Sequence, residues 1–236
     1  ILDLNNAATD IAHLGFTEKN EILFKKMIEK PNGIVLITGP TGSGKSSTLY
    51  AALSNLNDEE VNIITVEDPV EYQLNGINQI QVKEEVGLTF AAGLRSILRQ
   101  DPDIIMIGEI RDLETAQISI RASLTGHLVL STLHTNSAIE SVSRLQDMGI
   151  EPFLISSSLV GILAQRLVRQ ICRDCSGEVE PTSREKEIFA NNGFSIEKVR
   201  KGRGCSACGN TGYRGRLAIH ELLPIDRESK DLILKY

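Results

Sequence analysis

The sequence has few aromatic residues, no excess of positive charge and no long apolar run, and these shortages narrow its possible functions. Aromatic residues make up 4% of the 236 residues, so few side chains can stack on the bases of a single strand. The net charge is −6, whereas sequence-independent binding to nucleic acid usually requires a basic surface. No apolar run approaches the roughly 20 residues that span a bilayer. The composition therefore argues against a nucleic-acid partner.

Cysteine is also scarce, and its placement is informative. The four cysteines form two C-x-x-C pairs, a spacing that favours metal or redox chemistry over a secreted disulfide framework. No signal peptide is recognisable, and we expect a cytoplasmic location. Because the chain begins with Ile1, we expect it to be a fragment of a longer protein.

Apolar runs of strand length alternate with helical patterns in the first two thirds of the chain. The runs lie at 33–38, 61–66, 103–108 and 127–132, and helices are predicted at 18–30 and 45–56. Strands that are apolar on both faces and alternate with helices predict an α/β fold with a mostly parallel, covered sheet. After Arg169 the composition becomes rich in Cys, Gly, Arg and Asn, which indicates a second, smaller unit.

The stretch GPTGSGKS at 39–46 matches the phosphate-binding pattern G-x-x-x-x-G-K-[ST] between a predicted strand and a predicted helix. Its glycines let successive backbone N–H groups point at phosphate oxygens, and the helix N-terminus adds its dipole. Lys45 is expected to reach the β- and γ-phosphates, and the Ser46 hydroxyl to ligate Mg²⁺. The predicted nucleotide-binding residues are Gly39, Pro40, Thr41, Gly42, Ser43, Gly44, Lys45, Ser46 and Ser47.

Acidic and polar side chains follow three other predicted strands. In an open α/β sheet ligands bind outside the carboxyl ends of the strands. Any one of these side chains alone could be a solvated loop residue, but their convergence beside a phosphate loop predicts a catalytic site. They are Glu67, Asp68 and Glu71 after one strand, Glu109 after the next, and Thr132 and His134 after the third.

The stretch DIIMIGEIRD at 103–112 has Gly108 where many P-loop ATPases have an aspartate that helps to hold Mg²⁺. Mg²⁺ keeps several waters when it is bound to a triphosphate. We therefore expect it to be held through water, with Glu109 and Glu67 supplying the charge.

Four stretches in order resemble the Walker A, Asp-box, Walker B and His-box motifs of secretion-superfamily ATPases, the hexameric motors of bacterial type II secretion and type IV pilus assembly. They are GPTGSGKS, ITVEDPVEY (64–72), LRQDPDIIMIGEIRD (98–112) and TGHLVLSTLHTN (125–136). The match covers about 34–170, and the cysteine pairs extend it to about 223. The resemblance implies a RecA-like P-loop domain with ATP and Mg²⁺ as ligands. It also implies that glycine is the usual residue of the family at position 108.

The resemblance also implies roles for individual residues. Glu109 would act at the attacking water or the Mg²⁺, with Glu67, Asp68 and Glu71 assisting. His127 and His134 match the His box, which would sense the γ-phosphate; a structural role is the alternative for each histidine.

An arginine commonly neutralises charge on the transferred phosphoryl group, often from a neighbouring subunit. Arg95 and Arg99 are spaced i, i+4 and are predicted to share one helical face; Arg111 and Arg121 are further candidates. A solvated or salt-bridged arginine is the alternative for each. In the resembled family arginines from an upstream domain complete the site, so we expect this fragment to bind nucleotide and to hydrolyse it weakly unless a ring assembles.

The cysteine pairs CRDC and CSAC are separated by 29 residues. Each C-x-x-C pair forms a tight turn, or knuckle, in which two thiolates can share one metal, and two knuckles can complete a tetrahedral Cys₄ site for structural zinc. The entropy cost of closing the loop between the pairs grows only slowly with its length. A redox role is the alternative, although redox motifs usually occur singly. The predicted ligands are Cys172, Cys175, Cys205 and Cys208, a pattern that resembles the assembly-type motors rather than the retraction motors.

The predicted organisation is a lead-in at 1–30 from a missing N-terminal domain, an ATPase core at 31–170, a zinc-binding subdomain at 171–215 and a C-terminal helical segment at 216–236. The resemblance implies a hexamer on the cytoplasmic face of the inner membrane, with platform and docking proteins as partners. One alternative is a retraction or conjugative motor. Another is a P-loop translocase or nucleic-acid-binding protein with a zinc ribbon, since Arg and Lys at 198–203, Arg214 and Arg216 make that module somewhat basic.

Overall fold

The computed structural model describes residues 10–235 and divides them into two compact units. The first contains the described residues up to Arg166 and resumes at Ala218; the second is Leu167–Leu217. The predicted subdomain at 171–215 lies inside the second unit. The first unit also takes in residues that the prediction had placed outside the ATPase core, at both ends of the chain. Within 10–235, no helix combines the length and the apolar content that crossing a membrane requires.

Within the described residues, seven strands form the main sheet in the order β3-β2-β4-β5-β1-β6-β9, and the neighbours from β3 to β6 in that order are parallel. The mostly parallel α/β fold is therefore confirmed. Each of the four predicted strands is present, with ends within two residues of the prediction. The strands are β1 Gly33–Thr38, β2 Ile63–Glu67, β3 Asn78–Gln81, β4 Ile104–Ile107, β5 Leu128–Leu133, β6 Leu159–Ile171 and, after two strands of the second unit, β9 Tyr213–Pro224.

The central strands are buried along their whole length because the sheet is covered on both faces. In β1, Leu36 belongs to one apolar cluster, whereas Val35 and Ile37 belong to a second cluster. This alternation follows from the two-residue period of a strand. A continuous apolar run was therefore the correct signal for these strands.

Eight α-helices occur in the described residues. Several begin at a side-chain cap, such as Thr89 before α3 and Asp112 before α4, which satisfies an otherwise unpaired N–H group. The helices are α1 Glu18–Ile28, α2 Lys45–Leu56, α3 Phe90–Ile97, α4 Leu113–Leu124, α5 Ala138–Asp147, α6 Pro152–Ser158, α7 Ser183–Asn191 and α8 Arg227–Ile233. All except α7 belong to the first unit.

In the part that the structure describes, the predicted lead-in at 1–30 contains the helix that was predicted at 18–30. Helix α1 is capped by Thr17 and buries Phe24, Met27 and Ile28. These side chains join the same apolar cluster as Val35 and Ile37. The helix is therefore part of the core, while residues 1–9 lie outside the described residues.

The predicted C-terminal helical segment is wrong over 216–224, which belongs to strand β9. The short apolar run there has no decisive period, and strands and helices cannot be separated by pattern alone in such runs. The adjacent strand β6 decides the outcome by offering a sheet edge. A helix, α8, follows only after Asp226 caps its first turn.

The second unit contains an antiparallel pair of strands, β7 Ser176–Val179 and β8 Val199–Gly202, joined through α7. Thr182 and Glu185 form a capping box at the start of α7. Lys201 of β8 lies 2.7 Å from a carboxylate oxygen of Glu185, which ties the helix to the strand pair.

Candidate functional site

The phosphate loop joins β1 to α2 and depends on glycine at three positions. Gly39, Gly42 and Gly44 have φ values of 146°, 77° and 89°, which side chains rarely tolerate. A Cβ at Gly39 would also collide with the carbonyl oxygen of Gln165. Helix α2 begins at Gly44 without a side-chain cap, so its first N–H groups remain available to an anion.

Two polar side chains lie inside the loop. Lys45 is 9% exposed and donates from Nζ to the carbonyl oxygens of Gly39 (3.0 Å) and Pro40 (3.2 Å). Burial lowers the pKa of Lys45, and the charge of Glu109 opposes that shift. The Ser43 hydroxyl is buried and has no hydrogen-bond partner in residues 10–235. A bound oxyanion would satisfy such an orphaned donor, so the residues present fit a phosphate group.

Gln165 on β6 is a functional candidate that the sequence did not predict. Its Nε2 donates to the Ser43 carbonyl oxygen at 2.7 Å, and its Oε1 accepts from the Thr48 hydroxyl at 2.7 Å. The side chain is 3% exposed. It therefore clamps the loop to the first turn of α2 from a strand more than 100 residues away in sequence.

The structure brings four of the predicted site residues together beyond the ends of β2, β4 and β5. Arg111 donates to Glu109 Oε1 at 2.5 Å, and His134 Nε2 lies 3.3 Å from Glu109 Oε2. Arg111 also lies 3.9 Å from Asp68. The hydrogen bond from Arg111 holds the pKa of Glu109 below its usual value against the effect of burial, with help from His134. Glu109 is therefore a charged, 15% exposed carboxylate that faces two cationic or donor groups.

Gly108 is held by its backbone between two strands. Its N–H donates to the Val66 carbonyl oxygen at 2.8 Å, and its own carbonyl oxygen accepts from the Thr132 hydroxyl at 2.7 Å. A Cβ at this position would lie at ordinary contact distance, 3.5 Å, from Glu67, Phe90 and Val66. Backbone crowding therefore does not explain why the usual aspartate is absent.

Glu67 does not face the open site, although the sequence placed it among the catalytic carboxylates. It is 4% exposed and accepts hydrogen bonds from Tyr50, from Thr65 at 2.6 Å and from Gln79 at 3.0 Å. Glu71, in contrast, is exposed, and its side chain has no polar partner among residues 10–235. The side-chain direction separates two carboxylates that the sequence grouped together.

The structure does not bring the two His-box histidines together. His134 follows the end of β5, whereas His127 precedes its start, so the six-residue strand separates them by about 20 Å. His127 Nδ1 lies 2.9 Å from the Ala122 carbonyl oxygen. Within one chain, His134 therefore lies at the edge of the sheet that bears the phosphate loop, whereas His127 makes the structural contact that was the alternative for it.

The arginines before β4 do not share a helical face, contrary to the prediction. Helix α3 ends at Ile97, so Arg95 lies inside it and Arg99 lies beyond it. Arg95 forms an ion pair with Glu114. Arg121 lies in the last turn of α4, shortly before the start of β5 and away from the phosphate loop. Of the predicted arginines, Arg111 is the one that contacts the carboxylates of the site.

A cavity of about 250 Å³ is bordered by Gln165, the residue that clamps the phosphate loop. The His220 ring lines it and stacks on Phe16 with 4.0 Å between ring centroids. His220 Nε2 is buried without a partner in the described residues, and burial lowers the pKa of this histidine to about 4. The ring is therefore neutral near pH 7. The other lining residues are Asn136, Ala164, Arg166, Ile219 and Glu221.

The four cysteines of the second unit converge as their spacing predicts. All four sulfur atoms lie within 4.8 Å of one another, and three of the pairs are separated by 3.7–3.9 Å. Tetrahedral zinc with bonds of about 2.3 Å requires sulfurs about 3.8 Å apart. The Cys208 sulfur also accepts from the backbone N–H groups of Cys205 and Gly212, as a metal-bound thiolate commonly does. The cluster therefore fits a zinc ion.

Comparison with known proteins agrees with this architecture. The model of a family described as "Type II/IV secretion system protein" matches residues 1–236. The chain is 56% identical to the type II secretion system ATPase E of Vibrio cholerae over 233 residues, which cover 99% of the chain and 46% of that protein. It is 53% identical to the type IV pilus assembly ATPase PilB of Myxococcus xanthus over 241 residues, which cover 99% of the chain and 42% of that protein. The chain thus spans less than half the length of these relatives.

Solved structures also resemble the chain. The pilus retraction motor PilT, crystallised with bound ADP, has a TM-score of 0.71 and 32% identity, over 96% of this chain and 56% of that one. The ATPase DotB of Legionella pneumophila has a TM-score of 0.66 and 27% identity, over 96% of this chain and 53% of that one.

Proposed function

The chain belongs to the Type II/IV secretion system protein family, and we propose that it is the ATP-hydrolysing part of a hexameric motor for pseudopilus or type IV pilus assembly. The observation that carries this proposal is the meeting of Glu109, Arg111 and His134 at the sheet edge that also bears the phosphate loop. Relatives named as secretion and pilus assembly ATPases support it.

The phosphates of ATP would bind at the loop between β1 and α2. Backbone N–H groups at the start of α2, the Ser43 hydroxyl and the Lys45 ammonium provide donors directed at one small volume. The adenine would occupy the cavity bordered by Gln165, which the neutral His220 ring lines.

Glu109 would position the attacking water. Its carboxylate is charged because Arg111 and His134 stabilise the anion, so it can accept a proton or a hydrogen bond from that water. Mg²⁺, when bound, would neutralise charge on the phosphates, with the Ser46 hydroxyl as a ligand. Since Glu67 is turned into the core, the carboxylates available to hold the metal's waters are Glu109, Asp68 and Glu71.

The cysteine cluster would hold a structural zinc ion. Four thiolates leave no open position on tetrahedral zinc, so the metal would fix the fold of the second unit and take no part in hydrolysis. This module supports an assembly motor over a retraction motor within the family. We place the intact protein at the cytoplasmic face of the inner membrane, bound to platform and docking proteins of the machine.

The decisive experiment uses the full-length protein and compares Glu109→Gln with the wild type. ATP binding should persist, because the phosphate loop is unchanged, while kcat should fall by about 10²-fold or more, as removal of a catalytic base commonly causes. Lys45→Ala should weaken nucleotide binding itself. Glu59→Gln, an exposed carboxylate in the turn before β2, is the matched control and should behave as wild type. Hydrolysis retained at the wild-type rate in Glu109→Gln would refute the assignment.

A further inference from the structure

A buried polar network links the phosphate-loop helix to the loop that carries Asp68 and Glu71. Its centre is Tyr50 of α2, which is 1% exposed. Tyr50 follows Ser46 by four residues, so the two side chains share one face of the helix on consecutive turns. Ser46, the residue expected to ligate Mg²⁺, therefore lies one helical turn before the centre of the network.

The Tyr50 hydroxyl contacts two different parts of the chain. It donates to Glu67 Oε2 at the end of β2, and it accepts from the backbone N–H of Glu71 at 3.2 Å. The Tyr50 ring also packs edge-to-face on Tyr72, with 4.6 Å between ring centroids. One side chain therefore fixes both the strand end and the loop that follows it, residues 68–77, which we call the Asp-box loop.

Gln79 of β3 closes the network from the other end of this loop. Its amide group donates to Glu67 Oε1 at 3.0 Å and to the Tyr72 carbonyl oxygen at 3.2 Å. Its Oε1 accepts from the Leu74 N–H at 2.7 Å. The Asp-box loop is thus hydrogen-bonded to Tyr50 and Gln79 at several backbone positions.

Glu67 lies between these anchors and has donors on both carboxylate oxygens. Thr65 and Gln79 donate to Oε1, and Tyr50 donates to Oε2. A buried carboxylate that is surrounded by neutral donors is costly compared with an apolar packing of the same volume. Its presence here is explained if the network serves to hold one geometry rather than to stabilise the core.

We infer that Tyr50 and Glu67 are positioning residues that fix the place of the Asp-box loop relative to helix α2, which follows the phosphate loop. A displacement of Ser46 when nucleotide and metal bind would pass along α2 to Tyr50 and from there to the backbone of Glu71. The same contact holds the backbone of the loop that carries Asp68 and Glu71, the carboxylates proposed to hold the waters of the metal. This inference rests on the proposed function.

The test replaces Tyr50 by phenylalanine in the full-length protein, which removes the hydroxyl and keeps the ring. We expect kcat to fall about tenfold, the factor that corresponds to one lost buried hydrogen bond, while KM for ATP and nucleotide affinity stay within about twofold. Tyr72→Phe is the matched control, because the Tyr72 hydroxyl has no hydrogen-bond partner within residues 10–235, and it should keep the wild-type kcat. Gln79→Met removes the hydrogen bonds at the other end of the loop, and it should likewise lower kcat while leaving KM for ATP nearly unchanged.

A double-mutant cycle separates positioning from general weakening. If Tyr50 acts through Glu67, the loss of kcat in Tyr50→Phe with Glu67→Gln will be clearly smaller than the product of the two single losses. A fully multiplicative loss would overturn the inference. So would equal losses of kcat and affinity in Tyr50→Phe, or a kcat no different from that of Tyr72→Phe.

Amide hydrogen exchange provides a readout that does not depend on hydrolysis. Tyr50→Phe should speed exchange in residues 68–77, at Glu71 above all, and leave the central strand β1 protected. If the wild type shows no ATPase activity and exchange still rises, the proposed function fails while the anchoring of the loop stands. Unchanged exchange at Glu71 would show that the Tyr50 hydroxyl does not anchor the loop.

Discussion

Replacing Gln165 by leucine tests whether a distant strand maintains the phosphate loop. The change keeps the volume roughly constant but removes the donor to the Ser43 carbonyl oxygen and the acceptor for the Thr48 hydroxyl. The Ser43 carbonyl oxygen and the Thr48 hydroxyl are both buried in these contacts, so each lost partner leaves a polar atom to be satisfied elsewhere. The substitution should therefore shift the empty loop away from the shape that receives phosphate.

The two lost bonds have different consequences. Thr48 can fall back on the Gly44 carbonyl oxygen, from which its hydroxyl lies 3.3 Å, so this loss should be small. The Ser43 carbonyl oxygen has no such substitute in the described contacts. A neutral hydrogen bond contributes about 1 kcal/mol, and a buried group left unpaired costs about 1–3 kcal/mol. A net penalty of about 1–2 kcal/mol on the binding-competent loop corresponds to roughly 5- to 30-fold weaker nucleotide binding.

The assay is titration of the full-length protein with a fluorescent ATP analogue, with circular dichroism to confirm folding. Gln117→Leu, an exposed glutamine on α4, is the control for the loss of an amide. Lys45→Ala gives the lower limit of binding. If Gln165→Leu folds normally and binds as tightly as the wild type, then the clamp does not maintain the loop and the reasoning is refuted.

Two further predictions concern the carboxylate pair and the cysteine cluster. Arg111 lowers the pKa of Glu109, and activity that needs the carboxylate is lost as the pH falls through that pKa. Arg111→Ala should therefore move the acid limb of the kcat profile to higher pH. Arg95→Ala is the control and should leave the limb in place, because the partner of Arg95 is Glu114. Cys205→Ser should reduce bound zinc, measured by atomic absorption, from about one per chain towards zero. It should also lower the melting temperature, because a structural metal contributes to folding. Ser206→Ala is the control, and full zinc content in Cys205→Ser would contradict the Cys₄ assignment.

The features that the sequence predicted well are those encoded locally. Gly39, Gly42 and Gly44 reveal a loop that needs positive φ values, and continuous apolar runs reveal strands covered on both faces. The spacing of the cysteine pairs depends on the geometry of a knuckle, which lies within four residues. In each case the physical requirement and the residues that meet it are close together in the chain.

The features that the sequence missed depend on pairs that are distant in the chain or on the direction of a side chain. Gln165 and Tyr50 are ordinary residue types, and their partners lie 122 and 17 residues away. Glu67 follows a strand as a catalytic carboxylate would, yet Tyr50 and Gln79 hold it inside. The separation of His127 from His134 could have been predicted, because the predicted strand at 127–132 already placed them at its opposite ends.

Gly108 raises the question of why the usual metal-binding aspartate is absent, and its surroundings supply an answer. A Cβ at this position would lie 3.5 Å from the Phe90 ring, from the Val66 carbonyl oxygen and from the Glu67 Cα. None of these three atoms is a hydrogen-bond donor, and a buried anion without a donor is destabilised. One residue later, Glu109 meets Arg111 and His134, which stabilise an anion. The negative charge that follows this strand therefore lies at Glu109 rather than at position 108. A metal at this site would have to be held through waters that longer or neighbouring carboxylates can reach.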